Sequence, residues 1–594
     1  MKNIKGLLNN KNVQWILSTI IFLTSLFIFT FVLCNIYKSR NKELNPKTDG
    51  ETTSININGT TITNESGNTI ATIIDEETGE EITVVIDSNT GEVLTTTTNP
   101  ETGEVITKVI TTKPTVPKTE PTTKLRMNVD KIVNNIDELK GSNLSVGKTI
   151  HTNGYYSAND GGEGYYRVEV KSNQVIDNGK YILLNNDLVA SLIPIDNTYN
   201  VKQFGAKGNN SNDDTTAITN AIKNLNDVNV YIPSGTYIIS SRISIPANSP
   251  KGVLMGDGES SLLKAAAGTK RGSDILSVSN ANNLTIKNIA ISGNSEVNTR
   301  DQGHDDKDGI HLLDIWGANN LTIDHCYFID NIYTGIRMIK DISNTKVINS
   351  VFRQTDCGIE FMGSGNADHI LIENNSFDGH KNSEPISFFG KGCRYTNIII
   401  NKNTLKNKAY AGGIFLGGYP DSGTTFENVT VTNNNIDRLA TGIVLKNGHT
   451  VYINNNTVTE TQGGGGIKVI NSDDVEVKKN TVIRSKQFGL QIESSKNITA
   501  EENTFTNCGY GNNDFFFVDI RGTNENVLFN RNTLNRTDET LVIYLMSVHS
   551  KGGVKVTNNT FNNGNVWLGK ESEGIILTNN NVKVRNDGTN NIIN

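Results

Sequence analysis

A four-residue signature, Gly-Ile-x-Leu, recurs along the C-terminal half of the chain and constrains its fold more than any other feature. It reads "GIHL" at Gly309, "GIRM" at Gly335, "GIEF" at Gly358, "PISF" at Pro385, "GIFL" at Gly413, "GIVL" at Gly442, "GIKV" at Gly466 and "GLQI" at Gly489. Looser copies are "FVDI" at Phe517, "VIYL" at Val542 and "NVWL" at Asn565. From 309 to 565 the spacing averages near 26 residues. A period of that size, with two or three short strands per unit, predicts a parallel β-solenoid, in which each coil buries its apolar edge only against its neighbours.

Asparagine tracts follow the same phase, "NNN" at 433, 454 and 579 and "NN" at 374 and 558. Asparagine tolerates left-handed turns and can stack amide on amide between coils, so these residues are structural. The 54 glycines and 11 prolines among 594 residues suit many short strands joined by tight turns. The five cysteines are scattered and read as core thiols, and no zinc-type spacing appears. A net charge of −7 gives no electrostatic reason to expect a nucleic-acid partner.

The N-terminal part divides by composition. Residues 1–11 are a short tail, and 12–37 carry no charge, with "WILSTIIFLTSLFIFTFVLC" at the centre. About 20 apolar residues suffice to span a bilayer, so a transmembrane anchor is expected there. Lysines on both sides leave the orientation nearly tied by charge, and the C-terminal part is placed outside the cell on its composition. Residues 38–112 contain a twelve-residue repeat, with Gly79, Gly91 and Gly103 in register, and read as a Thr-rich β-stalk. Residues 113–126 form a Thr/Pro linker, 127–196 a small module, and 197–594 the solenoid.

The stretch "VKQFGAKGNNSNDDTTAITNAI", Val201 to Ile222, resembles the opening of the pectate-lyase superfamily domain. The match lies in Phe204-Gly205-Ala206, Gly208, Asp213-Asp214-Thr215, Ala217 and Ala221, and continues in "VYIPSGTYIIS" and "GVLMGDGESSLL". That superfamily includes rhamnogalacturonase-like and epimerase-like proteins and phage tail spikes, and the likeness covers roughly residues 127–590. It implies an all-β, right-handed parallel β-helix, a hand that also follows from the chirality of parallel crossovers. Independently, Ala217, Ile218, Ala221, Ile222 and Leu225 fall at helical spacing behind Asp213 and Asp214, predicting a short capping helix with an acidic N-terminus.

In each Gly-Ile-x-Leu strand Ile and Leu point inward and x outward. The outward column then reads His311, Arg337, Glu360, Ser387, Phe415, Val444, Lys468, Gln491, Asp519, Tyr544 and Trp567, with Leu313, Ile339 and Met362 as an apolar strip beside it. The stretch "GHDDKDGIHLLD" enters the first of these strands, and its His304, Asp305, Asp306 and Asp308 should overhang the column. His380 and Glu384 enter the 385 strand in the same way. Pairing along the column favours ionised Glu360 and protonated His311.

The resemblance implies that polysaccharide binds beside this face. "DKDGI" resembles the Asn-x-Asp-Gly motif of polygalacturonases, with Asp308 at the first catalytic carboxylate. Their paired aspartates and Gly-His-Gly have no counterpart here, which puts that mechanism in doubt. Asp308 and Glu360 lie two coils apart, about 9–10 Å, near the upper end for an inverting hydrolase. "DQGHD" at Asp301–Asp305 is similar to the Asp-x-His-Asp of alginate epimerases with the spacing off by one. A lyase or epimerase acting on a uronic-acid glycan is the leading expectation: Arg337 holds the sugar carboxylate, His311 or His304 is the base, and Asp305, Asp306 and Asp308 could instead bind a Ca²⁺. Lys468, Gln491, Phe415, His380 and Glu384 would bind substrate. A glycoside hydrolase, a non-catalytic glycan-binding surface protein, and a homotrimeric assembly such as tail spikes form all stay open.

Overall fold

The computed structural model describes residues 127–594 except 248–251, 270–273, 299–309, 332, 380–382, 407–411, 419–421, 513 and 539–542, together with the backbone of five strands between Ile62 and Ile110. The chain divides at Arg126 into two units. In the first, strands Thr69–Ile74, Glu81–Ile86, Val93–Thr98 and Val105–Ile110 begin twelve residues apart and pair antiparallel in sequence order. The period of the sequence repeat is therefore the period of the strands. The anchor segment 12–37 and the linker 113–126 lie outside the described residues. Among the described residues no helix is long and apolar enough to cross a membrane.

The second unit opens with a five-stranded sheet whose Ile150, Tyr166, Val168 and Val189 are fully buried. The helix Ile136–Lys140 packs beside it, its N-terminus capped by the Asn135 side chain, which accepts from the Glu138 amide at 2.9 Å. The predicted helix follows at Thr215–Ile222 and buries Ile218, Ala221, Ile222 and the succeeding Leu225 on the end of the solenoid. Its aspartates do different work from a conventional cap. Asp214 is buried and accepts from the Lys207 and Gly208 amides at 2.6 and 2.9 Å, so it pins the preceding loop. Asp213 accepts from the Thr215 amide and from Ser240 Oγ at 3.0 and 2.6 Å.

The solenoid has three parallel faces. The face carrying the repeat signature stacks Leu276, Leu313, Ile336, Ile359, Ile386, Ile414, Ile443, Ile467 and Leu490 as consecutive partners, each essentially inaccessible. The second face lies behind it, and a 14-stranded third face runs from Asn209–Asp213 to Thr560–Asn562. On that third face Phe328, Phe352 and Phe377 stack at ring distances of 5.0 and 4.6 Å. Such ladders follow from parallel in-register stacking, which places like side chains one strand spacing apart.

The asparagine tracts resolve into a pair of jobs at the turn between the second and third faces. Asn374, Asn433, Asn455, Asn558 and Asn579 hold φ near +55°, which asparagine tolerates. The residue that follows is buried and laddered: Asn375 Nδ2 donates to Asn403 Oδ1 at 3.0 Å, Asn403 to Asn434, Asn434 to Asn456 and Asn456 to Asn480, each at 3.0 Å. The second amide hydrogen goes to a backbone carbonyl, as from Asn456 to Val431 at 2.8 Å. Every buried amide in this run is thereby satisfied, which is the condition for a polar row inside a core.

Candidate active site

Strand pairing fixes which side chains share the outward column. Ser277 pairs with Asp314, Asp314 with Arg337, Arg337 with Glu360, and the row continues through Ser387, Phe415, Val444, Lys468, Gln491, Asp519, Ser547 and Trp567. The expected column is thus correct from Arg337 to Asp519 and wrong at two places. His311 and Tyr544 each stand three residues ahead of the true members, Asp314 and Ser547. The cause at the first is an overlap: "IHLLDI" offers two alternating apolar sets, Ile310/Leu312 and Leu313/Ile315, and all four are buried. Pairing to Leu276 and Ile336 selects the second set. Leu313 is accordingly a core residue, and Trp316 takes its place beside Ile339 and Met362 in the flanking strip.

This register brings together an ionisable cluster. Asp314 is inaccessible, and its Oδ1 accepts from Arg337 Nε at 2.8 Å while its Oδ2 accepts from Trp316 Nε1. Asp274, also inaccessible, forms an ion pair through Oδ2 with Arg242 Nη2 at 2.7 Å, without an aligned hydrogen bond. Burial pushes Asp274 up to about 7, helped by the adjacent Asp314 carboxylate, and the two carboxyls interact as one unit. Burial also opposes ionisation of Asp314, but the Arg337 hydrogen bond and charge, with Trp316, outweigh it and hold this carboxyl below its ordinary value. Burial and mutual repulsion thus favour the neutral form of Asp274, while the Arg337 contact favours the ionised form of Asp314.

His311 faces the same cluster and is buried, and neither ring nitrogen has a hydrogen-bond partner among the described residues. Burial, followed by Arg337, pushes it down to about 3. The imidazole is neutral, not protonated as the sequence pairing suggested, because desolvation and two guanidinium groups outweigh Asp314. Arg242 and Arg337 thus set two guanidinium groups against the Asp274 and Asp314 carboxyls. Glu360, one coil further, accepts from Thr334 Oγ1 at 3.1 Å.

The other expected residues fall into those outside the described residues and those placed elsewhere on the column or beside it. His304, Asp305, Asp306, Asp308 and His380 lie outside the described residues. Glu384 is half-buried, and burial raises its carboxyl. Phe415 packs against Phe389 at a ring distance of 5.8 Å. Gln491 is buried and Lys468 half-buried, four and three coils beyond Ser387 on the same column. Among the described residues the one cluster with metal-ligand spacing is His449, Asp473 and Asp474, which sits on the second face and not in the column. Asp274, Arg242 and Trp316 are not marked by the repeat at all. Asp314 ends the stretch "GHDDKDGIHLLD", and aligning "LDI" with "IRM" would have found it.

Three parallel faces, a capping helix and an outward ionisable column define a right-handed β-helix of the pectate-lyase-like class. Residues 198–409 match the family model "Rhamnogalacturonase A/epimerase, pectate lyase-like", and residues 393–534 match "Right handed beta helix region". The chain thus carries a pectate-lyase-like right-handed β-helix. Among solved structures it is similar in fold to the A-module of a mannuronan C-5 epimerase from Azotobacter vinelandii, at 15% identity and a TM-score of 0.44, covering 65% of this chain and 99% of that one. It is also similar to tailspike protein 2 of an Escherichia coli O157:H7 bacteriophage, at 14% identity, a TM-score of 0.34, and coverage of 81% and 60%. A surface adhesin of Streptococcus pneumoniae is similar at 17% identity, a TM-score of 0.35, and coverage of 56% and 92%. No curated protein sequence matches the chain.

Proposed function

We propose that this protein acts on a uronic-acid-containing polysaccharide as a lyase or epimerase, with the Asp274–Asp314 pair as its proton-transfer centre. The observation that carries the reading is a pair of buried carboxyls, Asp274 and Asp314, held against two guanidinium groups, Arg242 at 2.7 Å and Arg337 at 2.8 Å. Removing the C5 proton of a uronate requires a cation to neutralise the sugar carboxylate, a base, and a proton donor. Arg242, with 44% of its side chain exposed, is the more accessible cation, and Arg337 lies over the Trp316 ring at 6.0 Å. Burial raises the Asp274 carboxyl to about 7, which suits a group that gives and takes a proton, whereas it pushes His311 down to about 3 and makes that imidazole a weak base.

In the lyase reaction the C5–H and C4–O4 bonds break, a C4=C5 double bond forms, and the leaving oxygen takes a proton. In epimerisation the C5 proton leaves one face and another is returned to the opposite face. Asp314 and Glu360, two strand spacings apart, keep a hydrolase as the second reading. The proposal extends to the N-terminus: residues 12–37 anchor the chain in a membrane and 38–112 hold the β-helix outside it.

The test is incubation of the full-length chain with polygalacturonate and with alginate in D₂O. A lyase yields unsaturated uronate absorbance, an epimerase yields deuterium at C5, and a hydrolase yields reducing ends with neither. Asp274→Asn should abolish the product formed. If it leaves product formation at the wild-type rate, Asp274 is not the proton-transfer group.

A further inference from the structure

We propose that the far end of the same column is a second, non-catalytic site for an acidic polysaccharide strand, built on Lys468, Arg521 and Trp567. It rests on the reading above for the class of ligand but shares no residue with the Asp274–Asp314 cluster. Eight strand steps separate Asp314 from Asp519 along the column, about 38 Å at about 4.8 Å per step.

The site is built, not merely charged. Asp519 is inaccessible, accepts from Ser547 Oγ at 2.8 Å and pairs with Arg521 Nε. That buried carboxylate fixes Arg521, whose side chain is 42% exposed and lies over the Phe488 ring at 5.1 Å. A guanidinium held from behind and open in front is preorganised for a carboxylate. Lys468 reaches the same region, donates to Gln487 Oε1 at 3.4 Å, and has no carboxylate partner among the described residues. Burial, then Arg521, push it down. An anion set between the two cations relieves both effects.

An aromatic platform adjoins the cations. Half-buried Trp567 has Phe516, Tyr544 and His549 at ring distances of 6.0, 6.1 and 4.8 Å, donates to Asp587 Oδ2 at 3.0 Å, and carries the Arg585 guanidinium over its ring at 5.5 Å. Convergent polar groups beside aromatic surface are what sugar rings and their carboxylates require together. A polymer long enough to reach both ends of the column binds the second site intramolecularly, so affinity grows with chain length without new contacts.

The test is affinity electrophoresis of the full-length chain, in the Asp274→Asn background so that turnover does not intrude, through gels containing polygalacturonate, alginate or neutral dextran. The polyuronates should retard the protein and dextran should not. Lys468→Gln breaks no ion pair, and Trp567→Ala removes the platform; each should weaken apparent polyuronate affinity at least fivefold. Arg521→Ala should do the same, read only if its melting midpoint is retained, since it leaves Asp519 uncompensated. Wild-type retardation by Lys468→Gln and Trp567→Ala together, equal retardation by dextran, no retardation by either polyuronate, or displacement by a single-stranded polynucleotide would each overturn the proposal. Should Asp274→Asn keep full turnover, the proposed chemistry falls while these mobility shifts still report the distal site.

Discussion

Asp314 and Arg337 are direct partners on adjacent coils, and Arg337 Nε donates to Asp314 Oδ1 at 2.8 Å inside a shell that leaves the carboxylate inaccessible. The pair cannot be dismantled by halves. Arg337→Ala leaves a buried charge uncompensated and should cost about 3–5 kcal/mol of stability, measured by denaturant unfolding. Asp314→Leu with Arg337→Met should recover most of that loss but no turnover. Equal stability of the single and double variants would show that the pair is not energetically coupled.

Asp274 makes stability depend on pH in a definite sense. Its carboxyl is raised from 3.8 to about 7 in the folded chain. Below the unfolded value both states hold the proton. Between the two values the unfolded chain releases it first, so stability falls as pH rises, and it levels off above about 7. Asp274→Asn removes the proton and with it the slope. Its melting midpoint should exceed wild type at alkaline pH and converge with it in acid, while activity is lost.

Two neighbouring isoleucines test the register of the second face. In the strand Arg394–Asn401, Ile398 is 0% exposed and Ile399 45% exposed. Ile398→Asp buries an unpaired carboxylate and should abolish soluble expression, whereas Ile399→Asp should be tolerated within about 0.5 kcal/mol. Equal yields of the two would refute the assigned inward face.

The anchor proposal is checked by fractionation. The full-length chain should sediment with membranes and resist a salt wash, and a chain beginning at residue 46 should stay in the supernatant. Retention of the shortened chain on membranes would place the attachment elsewhere.

What the sequence determined by itself was everything that repeats. The near-26-residue period, the alternation of Ile and Leu, and the asparagine tracts are local patterns that each coil restates, so the solenoid, its core ladder and the outward column from Arg337 to Asp519 could be read directly. The capping helix was legible because Ile218, Ala221, Ile222 and Leu225 mark one face within a few residues. Tertiary structure alone decided where one apolar set yields to another. "IHLLDI" satisfies the inward pattern in two frames, and only hydrogen bonding to the coils on either side chose Leu313 over Leu312 and so put Asp314 in the column in place of His311. It also decided the charge states. Arg242 and Asp274 precede their strands with no repeat to announce them, and the raised carboxyl of Asp274 and the lowered imidazole of His311 arise from burial among charges that lie far apart in the chain. Periodicity records which face a residue takes; desolvation depends on every neighbour the fold brings to it.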